Sequence, residues 1–279
     1  MTVFSDHALS QRLELTEGRG NAAFVEVQAR QDPASGATWT DFGGTLAMFS
    51  GVGSPLTQTF GLGVGSALAD ANLDLIEAFF TTRGSAVNHE VSPLAGVEVF
   101  DTLGRRGYRP IELSSVMFKP VTGGVAAASA AAAANPRIRV RVVSRDEAGL
   151  YASVSARGWS ESAEVQAFID GFARVSVDYA TCIVAEIDGA AIATAALFMC
   201  DGVGLLAGAS TVPEGRRQGA QAALLDWRLK RLAAEGCDLA MMCAAPGSAS
   251  QRNAERNGFR IAYTRTKWQL TAPTAAGSA

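Results

Sequence analysis

The chain has 279 residues, enough for two domains of ordinary size, and its 48% hydrophobic and 18% charged content describes a globular protein and excludes a disordered one. A formal net charge of −3 gives no bulk electrostatic support to a nucleic-acid partner. The longest apolar tract, alanine-rich at 125–134, is too short to cross a bilayer, and the N-terminus has no basic segment followed by an apolar run. A cytoplasmic protein with no membrane partner is therefore expected. Cys182, Cys200, Cys237 and Cys243 lie in apolar stretches without metal-type spacing, so they are read as buried free thiols, with no metal site.

From the N-terminus, residues 6–31 mix polar and apolar side chains at helical spacing, with no breaker before Asp32-Pro33. Short strands are predicted at 38–41, 45–49 and 57–62, separated by Gly43-Gly44 and by a Gly- and Pro-containing turn at 51–55. Leu73, Ile76, Phe79 and Phe80 form the apolar stripe of a helix over 70–82. A strand at 86–91, a break at Pro93, a short helix at 97–105, Gly107-Tyr108 and a strand to about 119 complete the first half. Residues 121–135 are nearly pure alanine and serine; they have nothing large to bury and read as a linker between domains at 1–120 and 136–270.

The second half opens on the alternating strand 138–142, followed by helices at 147–157 and 163–174. Asp188-Gly189 and Asp201-Gly202 then punctuate apolar runs at 181–187, 190–200 and 203–212, which predicts an antiparallel meander joined by primed two-residue turns. A long helix reaches about Glu235, with Leu225, Leu229 and Leu232 as its buried stripe and Gly236 as its cap. A buried strand at 239–244, a turn at 246–248, a short helix at 250–256, Gly258-Phe259 and a last strand follow, and 271–279 is expected to be disordered.

Between the meander and the long helix lies Ser210-Thr-Val-Pro-Glu-Gly-Arg-Arg-Gln-Gly-Ala-Gln-Ala-Ala-Leu-Leu225. Gly215 and Gly219 free the backbone, Arg216 and Arg217 add positive charge, and no acid appears in the helix before Asp226. Exposed amides, a favourable dipole and two arginines suit a phosphate or diphosphate. A basic surface turn is the plain alternative. The spacing matches neither a Walker loop nor a G-x-G-x-x-G fingerprint.

The stretch Arg216-Arg217-Gln218-Gly219-Ala220-Gln221, preceded by Val212-Pro213-Glu214, resembles the acyl-CoA loop of the GNAT superfamily of N-acetyltransferases, Arg/Gln-x-x-Gly-x-Gly/Ala. It departs at Gln221, where the family has Gly or Ala. The β-α-α-β-β-β-α-β-α-β order of 136–270 and the run from Arg252 to Gly258-Phe259 extend the resemblance over half the chain, with Ala254 where the family commonly places a Tyr that protonates the CoA thiolate. The two halves also match each other: 84 to 107 and 236 to 258 each run from helix end through strand, Pro break and short helix to Gly-aromatic. The expected architecture is α/β (more closely α+β): two GNAT-like domains in tandem, as in mycothiol-synthase-like proteins, each a mixed, mostly antiparallel sheet flanked by helices. Gly61-Leu-Gly-Val-Gly65 in the first half lacks basic residues and is followed by Asp70 and Asp74, so that half is read as degenerate and as serving the acceptor side.

The resemblance implies acyl-CoA as co-substrate, acetyl-CoA foremost, held by Thr211, Val212, Arg216, Arg217, Gln218, Gly219, Ala220, Gln221, Ala222 and Ser250. It also implies direct acyl transfer to a small-molecule amine. A base is needed to deprotonate the amine, and His89 and Glu90, near a strand end, are candidates or else a satisfied structural pair. Tyr263 stands in for the missing acid or is packing, and Cys243 reads as a core residue. A non-catalytic CoA-binding or interaction module is the competing expectation, motivated by Gln221 and Ala254. An oligomer is possible, but nothing in the sequence supports it.

Overall fold

The computed structural model describes residues 3–121, 135–159 and 162–271. In chain order its elements are α1 (His7–Gln31), β1 (Thr38–Asp41), β2 (Leu46–Phe49), β3 (Gln58–Phe60), α2 (Asp70–Thr81), β4 (Val87–Val91), α3 (Val97–Arg105), β5 (Arg109–Pro120), β6 (Ile138–Val142), α4 (Ala148–Trp159), α5 (Ala163–Ser176), β7 (Thr181–Ile187), β8 (Ala190–Cys200), β9 (Val203–Thr211), α6 (Ala220–Ala234), β10 (Leu239–Ala244), α7 (Ala249–Arg256) and β11 (Arg260–Leu270). These are the elements that the periodicity and turn chemistry predict, with ends within about two residues. The expected linker, apart from Val121 and Asn135, and the expected tail beyond Thr271 lie outside the described residues.

The chain forms two compact units. One comprises the residues up to Met117, Cys243–Arg252 and the chain from Ile261; the other comprises Phe118–Met242 and Asn253–Arg260. The division differs from a simple cut at the linker, because β11 from Ile261 onward belongs to the first unit and the last three residues of β5 belong to the second. The strand expected to close the second domain, β11, instead pairs antiparallel with β4 of the first unit, Thr266 opposite Val91 through to Leu270 opposite Val87. Its Trp268 and Leu270 pack on the first unit's core of Leu73, Ile76, Phe80, Val87, Leu103 and Tyr108. The end of β5 belongs to the second unit, where Val121 N donates to Asp238 O at 2.8 Å and Lys119 Nζ donates to Asn257 O at 2.7 Å. The span 136–270 is therefore not one contiguous body.

Within the first unit the strands run in the order β1-β2-β3-β4-β11-β5. The glycine run that replaces a cradle here serves close packing: a Cβ on Gly61 would sit 2.7 Å from Gly44 O, and one on Gly63 would sit 2.6 Å from Val99 Cγ2. Asp70 and Asp74 at the start of α2 are bound to Arg106, Asp74 Oδ1 accepting at 2.7 Å.

Within the second unit the order is β10-β9-β8-β7-β6, antiparallel except for β9 with β10. Asp188 and Gly189 have φ of 51° and 82°, and Asp201 and Gly202 have 46° and 77°, the paired positive values of the predicted primed turns. One expectation for α6 fails: its buried face is Ala220, Leu224, Leu225, Arg228 and Leu232, with Arg228 in place of Leu229. Arg228 Nε donates to Leu224 O at 3.2 Å and Nη1 to Ala196 O at 3.4 Å, and burial without a carboxylate lowers its pKa to about 10.

Candidate functional site

Nine of the ten residues assigned to acyl-CoA lie together in the second unit, on the end of β9, the turn after it and the first helical turn of α6. Ser250, the tenth, is an exposed residue at the start of α7, in the segment that belongs to the first unit. Two backbone features shape the site on β9. The register to β8 slips by one residue: Ala196 pairs with Ala207 and Thr194 with Ser210, so β9 carries a bulge at Gly208 and Ala209. Gly208 supplies the positive φ this requires, 60°, and a Cβ there would meet Tyr151 Oη at 3.5 Å. On its other edge β9 pairs with β10 only from Val203 to Leu205, opposite Leu239 to Met241. Beyond Leu205 its main-chain edge has no ladder partner in β10.

The turn that follows leads directly into α6. Arg217 and Gly219 take left-handed φ of 61° and 92°, and Gly219 begins α6 without a side-chain cap. The first amide to find an acceptor at the helix start is that of Ala223, which donates to Gly219 O at 3.1 Å; those of Ala220, Gln221 and Ala222 point out of the helix end. Arg216 before them is extended, with φ of −66° and ψ of 153°, and the side chains of Arg216 and Arg217 are both exposed beside the helix start, a setting that suits an anion. Among the described residues, a Cβ on Gly219 would meet Ile138 Cδ1 at 3.7 Å and Asn135 Cβ at 4.0 Å, ordinary van der Waals contacts. The turn is braced by Gln218 Nε2 donating to Glu214 O at 2.9 Å and Asn135 Nδ2 donating to Gln218 O at 3.2 Å. Arg157 of α4 ion-pairs with Glu214, which keeps that carboxylate engaged away from the cradle.

The three side chains nominated for proton transfer all lie in the first unit, and each is already engaged. His89 is fully buried, with Nδ1 2.7 Å from Thr59 Oγ1 and Nε2 3.1 Å from Tyr108 Oη, and burial lowers its pKa to about 3. It is a neutral imidazole within the core and faces no solvent. His89 and Glu90 do not pair with each other. Glu90 meets Arg265 Nε at 2.8 Å, poorly aligned as a hydrogen bond, and Lys267 Nζ at 3.1 Å. Tyr263 Oη donates to Glu14 Oε1 at 2.8 Å, and burial raises the phenol's pKa further.

Sequence reasoning missed the centre of this network. Arg265, 2% exposed, is bound by Glu14, Glu17 and Glu90, with Cys243 Sγ donating to Glu17 Oε2 at 3.1 Å. Burial, only partly offset by Arg265, raises the Glu14 carboxyl to about 7. Glu17 is held below its usual value: burial is the largest single influence, but the charge and hydrogen bonds of Arg265 together outweigh it. The only signal in the sequence was that Glu14 and Glu17 fall one turn apart on a helix and that Tyr263, Arg265 and Lys267 alternate on a strand.

A bulged strand that parts from its parallel neighbour and ends in an amide cradle at a helix start, within a mixed sheet, defines the GNAT class of fold. Residues 151–259 match the model of the Acetyltransferase (GNAT) family. The fold likeness extends further. A GCN5-related N-acetyltransferase from Kribbella flavida is 16% identical, with a TM-score of 0.66 over 96% of this chain and 97% of its own. A tandem GNAT protein from the clavulanic acid biosynthesis pathway is 14% identical, with a TM-score of 0.56 over 83% and 79%. A GNAT-family structure from Novosphingobium aromaticivorans is 18% identical, with a TM-score of 0.53 over 88% and 96%. No curated protein matches the sequence. Among the described residues no helix is long and apolar enough to cross a membrane.

Proposed function

We propose that the protein is an acyl-CoA-dependent N-acyltransferase, with acetyl-CoA as the first donor to test, that passes the acyl group directly to the amine of a small molecule. The observation that carries this reading is the conjunction, on one strand–turn–helix, of a bulge at Gly208, an unpaired edge beyond Leu205 and the outward amides of 220–222. The turn suits a diphosphate: the helix start has no side-chain cap, Gly219 adds no side chain there, and the exposed Arg216 and Arg217 flank it. Bound acyl-CoA supplies a thioester carbonyl and a thiolate leaving group. The unpaired edge of β9 offers main-chain groups to orient the donor, and the bulge turns main-chain donors out of the ladder, where they polarise a carbonyl. The N–C bond forms as the C–S bond breaks, and the proton lost by the amine passes to the thiolate or to solvent. This reading requires none of His89, Glu90 and Tyr263.

One observation favours a second reading, CoA binding without transfer. Ala254, where the family commonly carries a Tyr acid, is 1% exposed and packed, so no acid stands there. Calorimetry with acetyl-CoA followed by CoA release over a panel of small amines separates the two. Binding with turnover supports transfer, binding without turnover supports the module, and no binding at millimolar ligand defeats both.

A further inference from the structure

We propose that Gln221 is a positioning residue. It works with a ring of buried hydroxyls on the opposite face of β9 to hold the strand end and the following turn in the shape acyl-CoA requires, and so sets affinity for acyl-CoA. The inference rests on the acyl-CoA reading above. At this position a long polar side chain would be expected to crowd the diphosphate. Instead it turns back: Nε2 donates to Ser210 O at 2.9 Å and to Thr211 Oγ1 at 2.8 Å, tying the first turn of α6 to the end of β9.

The other face of the same dipeptide is held independently. Ser155 Oγ of α4 donates to Thr194 Oγ1 at 2.9 Å, Thr194 Oγ1 lies 3.0 Å from Ser210 Oγ, and Ser210 Oγ donates to Ser155 O at 3.2 Å. All three hydroxyls are buried. Gly158, one turn on, lies so close that a Cβ there would stand 2.7 Å from Ser210 Oγ and 2.8 Å from Thr211 N. Successive side chains of a strand point to opposite faces, which lets Ser210 serve α4 while Thr211 serves α6.

The need for two grips follows from what β9 lacks. Its end has no ladder partner in β10, its register to β8 is broken by the bulge, and the turn beyond contains Arg217 in a left-handed conformation that costs free energy. A strand end held this weakly frays unless side chains replace the missing ladder bonds, and a frayed cradle must be reordered at the expense of binding.

The test uses the full chain and two variants, Gln221→Ala and Gln221→Met, the latter keeping length without hydrogen bonds. Acetyl-CoA affinity is measured by calorimetry, and amide exchange over 211–219 is followed without ligand. Both variants are expected to bind acetyl-CoA about tenfold more weakly, the equivalent of one net hydrogen bond. KM for acetyl-CoA should rise with kcat unchanged, and exchange in 211–219 should be about tenfold faster while the rest of the second unit keeps its protection. Unchanged or tighter affinity, the result expected of a side chain that merely crowds the site, overturns the proposal, as does unchanged exchange. Absence of acetyl-CoA binding by the wild type defeats the acyl-CoA reading and the affinity role with it. The exchange data then show separately whether the clamp exists.

Discussion

Glu14→Gln tests the buried network of the first unit with a magnitude the structure supplies. Glu14 faces Arg265 and Tyr263 from β11, Glu17 from its own helix, Glu90 from β4 and Cys243 from β10, and Lys267 of β11 pairs with Glu90 beside them. Burial is the largest influence on Glu14; Arg265 offsets it only in part and the neighbouring Glu17 and Glu90 add to it, so Glu14 titrates at about 7 rather than at its ordinary 4.5. Its folded pKa is raised, so the folded chain binds more protons than the unfolded one between those values. The stabilisation is complete below 4.5 and is lost as pH rises through 7. At 1.36 kcal/mol per pH interval this amounts to about 3 kcal/mol in full. Gln keeps an acceptor for Tyr263 and Arg265 and has no charge to lose. Urea unfolding of wild type and variant from pH 4 to 8 should therefore show near-equal stability at the acid end. The variant should then gain an advantage approaching 3 kcal/mol above pH 7. Parallel curves over that range would refute the burial argument, and so would a variant less stable at pH 8.

Gly219→Glu should abolish acetyl-CoA binding in calorimetry, at least about a hundredfold, because a carboxylate enters the cradle and an L residue must adopt φ of 92°; unchanged affinity would disprove the cradle assignment. Gly158→Ala places a methyl inside contact distance of Ser210 and Thr211, and thermal unfolding should report about 1–3 kcal/mol of destabilisation. Tyr108→Phe leaves His89 Nε2 without its buried partner and frees Glu77 Oε1, now 3.1 Å from Tyr108 Oη. Its expected cost is about 1–3 kcal/mol in urea unfolding, and a neutral effect would mean that the hydrogen bond contributes nothing.

Local chemistry made much of this protein legible from sequence. The Asp-Gly turns, the Gly-aromatic strand entries and the basic glycine turn before α6 each depend on residues within a few positions, because φ, charge and turn type are fixed locally. The stripe of α2 was legible for the same reason. Leu229 was misassigned because a 3.6-residue period does not distinguish a buried arginine stem from a leucine one position away.

The amino-acid sequence by itself determined the order of elements, and it carries the readings of an anion cradle before α6 and of a repeat that pairs the two halves. Only the tertiary structure decided which unit β11 joins, because a strand's pairing is fixed by which core receives its side chains, here Trp268 and Leu270 against the first unit. The same holds for charge. Glu14, Glu17, Glu90, Arg265 and Lys267 are scattered along the sequence until α1, β4 and β11 bring them into one buried cluster, where their ion pairs replace part of the water they lose. Gln221 reads as a flaw in a motif until its carboxamide is seen on Ser210 and Thr211, a contact set by how α6 leans on the end of β9.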